Sequence, residues 1–301
     1  QRTAEYIPPS QRGPRETASP PPLVHPDPRP SLVLVHGFGG SIEQFTPLAD
    51  HLMGDAASSP FARILALDSI GFSLSEKPPL SYNQYLWRDQ VVSFMRLTAE
   101  ECSSAYSSDV HRFVVGGNSI GGYCASSTAA HLSLYPTIPP QSASSSPSSS
   151  APAVQVSGVV LFNPSGLILP PSQRTPLTYQ RSSNDLFPEY RGPPQGLLRV
   201  FGEGLFALLQ GNIQRTCQWL YPTAPPPDNL AGRIFRDSCD PNAPILLSAG
   251  GKLPPPESMD LLLGAEFTGP VLLVQGVLDP LNNATMRAEM FRQIDRCASR
   301  V

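Results

Sequence analysis

Phe113-Val114-Val115-Gly116-Gly117-Asn118-Ser119-Ile120-Gly121-Gly122-Tyr123-Cys124-Ala125-Ser126-Ser127-Thr128-Ala129-Ala130 is the stretch that decides the fold. It opens as a short apolar strand and continues as a helix of small residues. Between them stands Gly117-Asn118-Ser119-Ile120-Gly121, a G-x-S-x-G pattern. The bare pattern is common; a strand before it and a small-residue helix after it make it a nucleophile elbow. The serine must sit in a strained turn, so its neighbours must be glycine. The helix must start close to the strand, and its N-terminus favours negative charge developing near Ser119. The competing reading is a glycine turn with an incidental serine.

Working outward, Ser31-Leu32-Val33-Leu34-Val35 and Arg63-Ile64-Leu65-Ala66-Leu67 are continuous apolar runs, as strands buried on both faces require. Val156 to Phe162 and Val271 to Gln275 are two more. Helices are expected at Phe45 to Leu52, from Ser81 to about Thr98, and from about Ala284 to Asp295. Ser81 with Gln84 forms a capping box. Strands alternating with helices predict a mostly parallel sheet with helices on both faces.

His36-Gly37-Phe38-Gly39-Gly40 follows the first apolar strand. In a fold with this elbow, the oxyanion hole takes one N–H from the residue after the nucleophile and one from such an earlier loop. Those residues are Ile120 and Phe38. Backbone donors aimed at a developing oxyanion contribute on the order of 3 kcal/mol each; an ordinary strand-to-helix turn is the alternative. Asp279, just past the late strand, stands where the triad acid belongs. An Asp-Pro turn residue is the alternative. Asp68 is the rival acid, but it precedes the elbow and reads as structural.

The base is the gap in the reading. His131 is twelve positions past Ser119 on one helix, roughly 18 Å away. His111 is at the far end of the elbow strand, roughly 25 Å away. His51 is on an outer helix, His25 in the N-terminal arm, and His36 fixes the oxyanion loop through its ring nitrogens. The base should follow the acid on a loop past one more strand. Only 22 residues follow Asp279, so the histidine is expected beyond Val301, on a chain truncated before its last strand. An inactive relative is the alternative.

Composition bounds the rest. The chain has 301 residues, a net charge of −3 and 40% hydrophobic residues, which suits one α/β domain and gives no electrostatic case for nucleic acid. Eighteen of the 36 prolines lie in 1–30, 136–152 and 221–227, which read as connectors. The expected organisation is a disordered arm at 1–30, which reads either as the tail of a transit segment or as a floppy arm, then core at 31–163 with a low-complexity insertion at 136–155. A cap spans 164–268 and incomplete core resumes at 269–301. Five cysteines without a CxxC pair argue against a disulfide framework or zinc site. No apolar run approaches a membrane span.

The chain resembles the pheophytinase and chlorophyll dephytylase group of α/β-hydrolases. The resemblance rests on Leu34 to Ser41, Tyr85-Leu86-Trp87-Arg88-Asp89-Gln90-Val91, Gly117 to Tyr123, and Val159 to Pro164. It implies the α/β-hydrolase fold: a mostly parallel sheet, helices on both faces, a cap insertion, and here a C-terminal truncation. It implies a serine hydrolase acting on a lipophilic ester, such as the phytol ester of chlorophyll or pheophytin. It also implies a chloroplast address and peripheral contact with a thylakoid or other membrane. No metal or organic cofactor is needed. Pro164-Ser165-Gly166 departs from the aromatic-rich continuation of pheophytinase, and no His-bearing C-terminal segment is present.

In the cap, Leu198, Phe201, Leu205 and Leu209 either line a groove for a prenyl or acyl tail or pack the cap onto the sheet; the second is the commoner use of such a stripe. The alternatives to hydrolysis are a non-catalytic lipophilic-ligand binder and an acyltransferase of the same fold. Dehalogenases and epoxide hydrolases are disfavoured because they carry Asp where this chain has Ser119.

Overall fold

A computed structural model describes residues 3–5, 27–55, 57–80, 82–106, 110–135, 153–174, 195–223, 225–226, 229–250, 257–294 and 297–300. The strands are β1 (Thr3–Glu5), β2 (Ser31–Val35), β3 (Arg63–Leu67), β4 (Val110–Asn118), β5 (Ala153–Phe162), β6 (Val271–Val274) and β7 (Cys297–Arg300). The helices are α1 (Thr46–Met53), α2 (Gln84–Tyr106), α3 (Ile120–Leu134), α4 (Leu197–Gly211), α5 (Ile213–Leu220), α6 (Leu230–Ser238), α7 (Ala243–Gly250) and α8 (Ala284–Arg292). Among the described residues the strands form one sheet in the order β1-β3-β2-β4-β5-β6-β7. Only β1 runs antiparallel to its neighbour.

Both faces of the sheet are covered, as the continuous apolar strands demand. Side chains alternate along a strand. Leu32, Leu34, Ile64 and Ala66 therefore face one way, onto Ala49 and Met53 of α1. Val33, Val35, Leu65 and Leu67 face the other, onto Trp87, Val91 and Met95 of α2 and Cys124 and Ala125 of α3. Burial pushes the Cys124 thiol up to about 12. Trp87 pins α2 by donating its indole N–H to the Ile70 carbonyl at 2.9 Å.

The structure corrects several expectations. A strand follows Asp279 within these residues, where none was expected: Cys297–Arg300 pairs in parallel with β6. Its Cys-Ala-Ser-Arg sequence has no apolar run to betray it, as is usual for a short edge strand. The arm is not wholly unstructured, since Thr3, Ala4 and Glu5 pair with Leu67, Ala66 and Leu65. The insertion ends before 153, where β5 begins. The core also resumes earlier than 269: Met259, Leu262, Leu263 and Phe267 are buried against Tyr123, Val159, Leu161 and Leu273. Ser81 lies outside the described residues, and the N–H of Leu86 is capped instead by the Asn83 side chain at 2.9 Å. Helix α2 runs on to Tyr106. Residues 136–152 and the His25 position lie outside the described residues.

No helix among the described residues is long and apolar enough to cross a membrane. Among the described residues, four α-helices, α4 to α7, and a π-helical turn at Leu261–Glu266 fall between β5 and β6. Gly202 of α4 meets the backbone of Ser248 of α7, so these two helices touch where a side chain would hold them apart.

Candidate active site

The register lines up the carboxyl ends of the strands. Leu67 pairs with Val35 and Val35 with Gly117; one residue on, Asn118 pairs with Phe162, Phe162 with Val274 and Val274 with Arg300. Asp68, His36, Ser119, Asn163 and Gln275 thus stand along one edge. In open parallel sheets, ligands bind outside this edge.

Ser119 caps α3 with φ 53° and ψ −121°, a backbone conformation that costs a non-glycine residue of order 1–3 kcal/mol. The surroundings enforce it. Its N–H bonds the Phe162 carbonyl at 3.1 Å, and its own carbonyl accepts from Gly122 at 3.0 Å and Ser165 at 3.0 Å. The Asn118 carboxamide ties the same Phe162 carbonyl at 3.1 Å. Added methyls would have nowhere to go: at Gly121 one would strike the Val35 carbonyl, and at Gly117 the Gly121 carbonyl. Small residues are therefore what bring α3 down onto β2 and β4.

The loop after β2 is held against this turn. A Cβ on Gly37 would lie 2.7 Å from the Asn118 carboxamide oxygen and 3.3 Å from Ser119 Cβ. Gly40 N–H closes the loop on the Gly37 carbonyl at 3.0 Å. Phe38 stands at its tip, exposed, with its ring edge-on to Phe72 at 5.1 Å. Ile120 is the first residue of α3, where a backbone N–H has no partner within its own helix.

His36 is a strut of that loop. Its Nε2 accepts the Ser69 N–H at 3.0 Å, which places the proton on Nδ1, 2.7 Å from the Gly37 carbonyl. Burial holds the ring well below the usual histidine range, against the opposing influence of the Gly37 carbonyl and Asp68. Asp68 is fully buried and accepts the Ile42 N–H at 2.8 Å, so it braces the turn into α1. His131 is buried on α3 against Tyr135, and His111 lies on β4 seven residues before its last.

Asp279 lies on the loop after β6, partly exposed. Gln275 Nε2 donates to its Oδ2 at 2.8 Å, Asn282 Nδ2 donates to the same oxygen at 3.1 Å, and the Leu281 N–H donates to Oδ1 at 2.9 Å. Two strand spacings, roughly 10 Å, separate the ends of β4 and β6. Ser119, Gly37 and Ile120 are therefore brought together, whereas Asp279 stands off across Asn163.

Sequence reading missed two residues that brace the surroundings of Asp279. Asn163 has φ 44°, and its side-chain oxygen accepts the Gly276 N–H at 2.7 Å. Arg287 donates to the Pro164 carbonyl at 2.7 Å and faces Asp279; burial nevertheless lowers its pKa. An asparagine directly after an apolar strand is the only signal for the first, and nothing in the sequence marks the second.

A cavity of about 110 Å³ opens beside Phe38 and Gly39. Phe206 and Leu209 of α4, Ile234 of α6 and Leu246 of α7 supply apolar wall. The stripe on α4 does not simply pack onto the sheet: Leu209 lines this cavity, and Phe201 is exposed. Helix α6 and the turn after it reach the core through Arg233 and Glu43 at 3.5 Å and through Asp240 and Lys77 at 4.0 Å.

The model of the alpha/beta hydrolase family matches residues 32–296. The chain belongs to the alpha/beta hydrolase family. Among solved structures, similar folds include a bacterial membrane phospholipase A, at 19% identity and TM-score 0.55, covering 91% of this chain and 71% of that one. A thermophilic esterase from Thermogutta terrifontis aligns at 16% identity and TM-score 0.52, covering 90% and 79%. A 2-hydroxy-6-oxo-6-phenylhexa-2,4-dienoate hydrolase from Rhodococcus sp. strain RHA1 aligns at 15% and 0.52, covering 91% and 82%. Identities this low show a shared alpha/beta hydrolase fold and nothing finer. No curated protein matches the sequence.

Proposed function

We propose that the protein is a serine hydrolase that cleaves a carboxylic ester of a lipophilic substrate. The observation that carries this reading is Ser119 at φ 53° and ψ −121° on the N-terminus of α3, with Gly37 pressed against it. A strained, partly exposed serine facing a helix N-terminus and a glycine loop suits nucleophilic attack on a carbonyl.

Ser119 Oγ attacks the ester carbonyl carbon and gives up its proton to a base. The N–H groups of Phe38 and Ile120 take the developing oxyanion. Collapse breaks the C–O bond, and the departing alkoxide takes the proton back from the base. Water then attacks the acyl-enzyme by the same route in reverse. The base in this reading is a histidine on the segment that follows β7, oriented by Asp279. Arg300 at the end of β7 is in register with Val274, so a loop leaving there starts one strand from the Asp279 loop.

The apolar cavity next to Phe38 supports a lipophilic substrate, as does the presence of a phospholipase and an esterase among the similar folds. Helices α4 to α7 act as its cap. Within this class, the motifs at Leu34 to Ser41, Tyr85 to Val91 and Gly117 to Tyr123 point to a phytol ester of chlorophyll or pheophytin and a chloroplast location. A second reading, a ligand-binding relative without turnover, draws on one observation: both ring nitrogens of His36 are committed.

An alkyl fluorophosphonate tests the proposal, because it phosphonylates only an activated serine. Mass spectrometry of the full-length protein should find one adduct, on Ser119. A protein that binds lipophilic esters saturably yet takes no adduct is the second reading instead.

A further inference from the structure

Nine of the twenty large apolar side chains exposed among the described residues lie in 197–235, so the exposed apolar surface concentrates on the insertion. Helix α4 carries the clearest pattern. Leu197, Val200, Phe201 and Leu208 are 88%, 66%, 68% and 62% exposed. At 100° per residue, they and Gly204 share one face. Gly202, Phe206 and Leu209 point to the opposite side, against α7 and the cavity. The only polar strip between the two faces is formed by Arg199 and Glu203, paired at 2.8 Å, and Gln210. A helix apolar on two sides ordinarily has both covered.

We infer that the outer face of α4 docks on a neutral lipid surface. The inference deepens the lipophilic-ester reading, on which it rests for the occupant's identity. A second copy of the chain fits the face poorly. Fifteen residues make a strip about 22 Å long and 10 Å wide, a few hundred Å² against the about 800 Å² per partner of a standard interface. The strip also offers no charge or hydrogen-bonding group to fix a protein partner's register. A lipid surface needs neither area nor register; it needs apolar side chains that can enter the acyl boundary. Because Arg199 is already paired with Glu203, anionic headgroups gain little there. The same helix places Phe206 and Leu209 on the cavity, so a lipid-docked α4 sets the cavity beside the phase that holds the substrate.

The test is co-sedimentation of the full-length protein with phosphatidylcholine vesicles at low and at high salt. Binding should occur at both. The double variant Phe201→Glu/Leu208→Glu should lose at least about tenfold in affinity, the loss expected when two apolar side chains no longer leave water. Leu197→Glu, at the first turn, should lose several-fold. Circular dichroism checks that each variant keeps its helices. The inactive Ser119→Ala protein should bind like the wild type, so vesicle binding and catalysis can fail separately. Wild type left in the supernatant overturns the inference. So does a folded double variant that binds unchanged, or a dimer in analytical ultracentrifugation that the double variant dissociates.

Discussion

The side-chain oxygen of Asn163 accepts the backbone N–H of Gly276 at 2.7 Å. Asn163 N–H in turn bonds the Val274 carbonyl at 3.0 Å. One residue at the end of β5 thus fixes the loop that carries Asp279. Asn163→Ala removes the side-chain bond and leaves alanine at φ 44°, costing about 2 kcal/mol in urea unfolding. If Asp279 orients the base, kcat should fall by about tenfold or more with KM little changed. An unchanged kcat would separate Asp279 from the chemistry.

The glycines around the elbow should differ sharply in tolerance. Gly121→Ala drives a methyl into the Val35 carbonyl, which cannot yield without moving β2 from α3. A loss of about 3 kcal/mol is expected. Gly39 has φ +69° but open space around it, so Gly39→Ala should cost only about 1 kcal/mol of backbone strain. Equal midpoints for the two variants in chemical denaturation would show that close approach does not set the cost.

Ser119 should be a residue whose removal stabilises the protein. Ser119→Gly releases the strain of φ 53°, offset in part by glycine's greater freedom in the unfolded chain. The net gain should be about 1 kcal/mol, raising Tm by a few degrees. Ser119→Ala keeps the strain and should unfold near the wild-type temperature. A glycine variant that melts below the alanine variant contradicts the assignment.

His36 gives the fold a pH dependence. Burial depresses its folded pKa below the ordinary 6.5. Above about pH 6.5, both states hold the neutral ring and its contribution is complete. As pH falls from there toward the folded pKa, the unfolded chain takes up the proton first, and stability is lost. The urea midpoint should therefore drop between about pH 7.5 and about pH 5. His36→Gln should be less stable at the higher pH, having lost its bonds to Ser69 and Gly37, yet show a smaller drop. An equal drop would assign the effect to other groups.

The core strands and the elbow were legible because their signals are local. Arg63 to Leu67 is an unbroken strand in both sequence and structure, and the glycines flanking Ser119 answer to sterics within a few residues. The polar edge strand at Cys297–Arg300 was not legible, because pairing with β6 rather than its own apolar pattern makes it a strand. The brace from Arg287 to Pro164 joins residues more than a hundred positions apart, and no spacing rule reaches that far. The outward face of α4 was misread for a related reason. Periodicity says that a stripe exists, whereas which side meets the protein depends on Gly202 touching Ser248.

The most direct test is turnover of a p-nitrophenyl acyl ester by the full-length protein and its Ser119→Ala variant. The account predicts hydrolysis by the wild type and a fall of about 10⁴-fold or more in kcat for the variant, with the fold intact. A variant that hydrolyses the ester at the wild-type rate would contradict it.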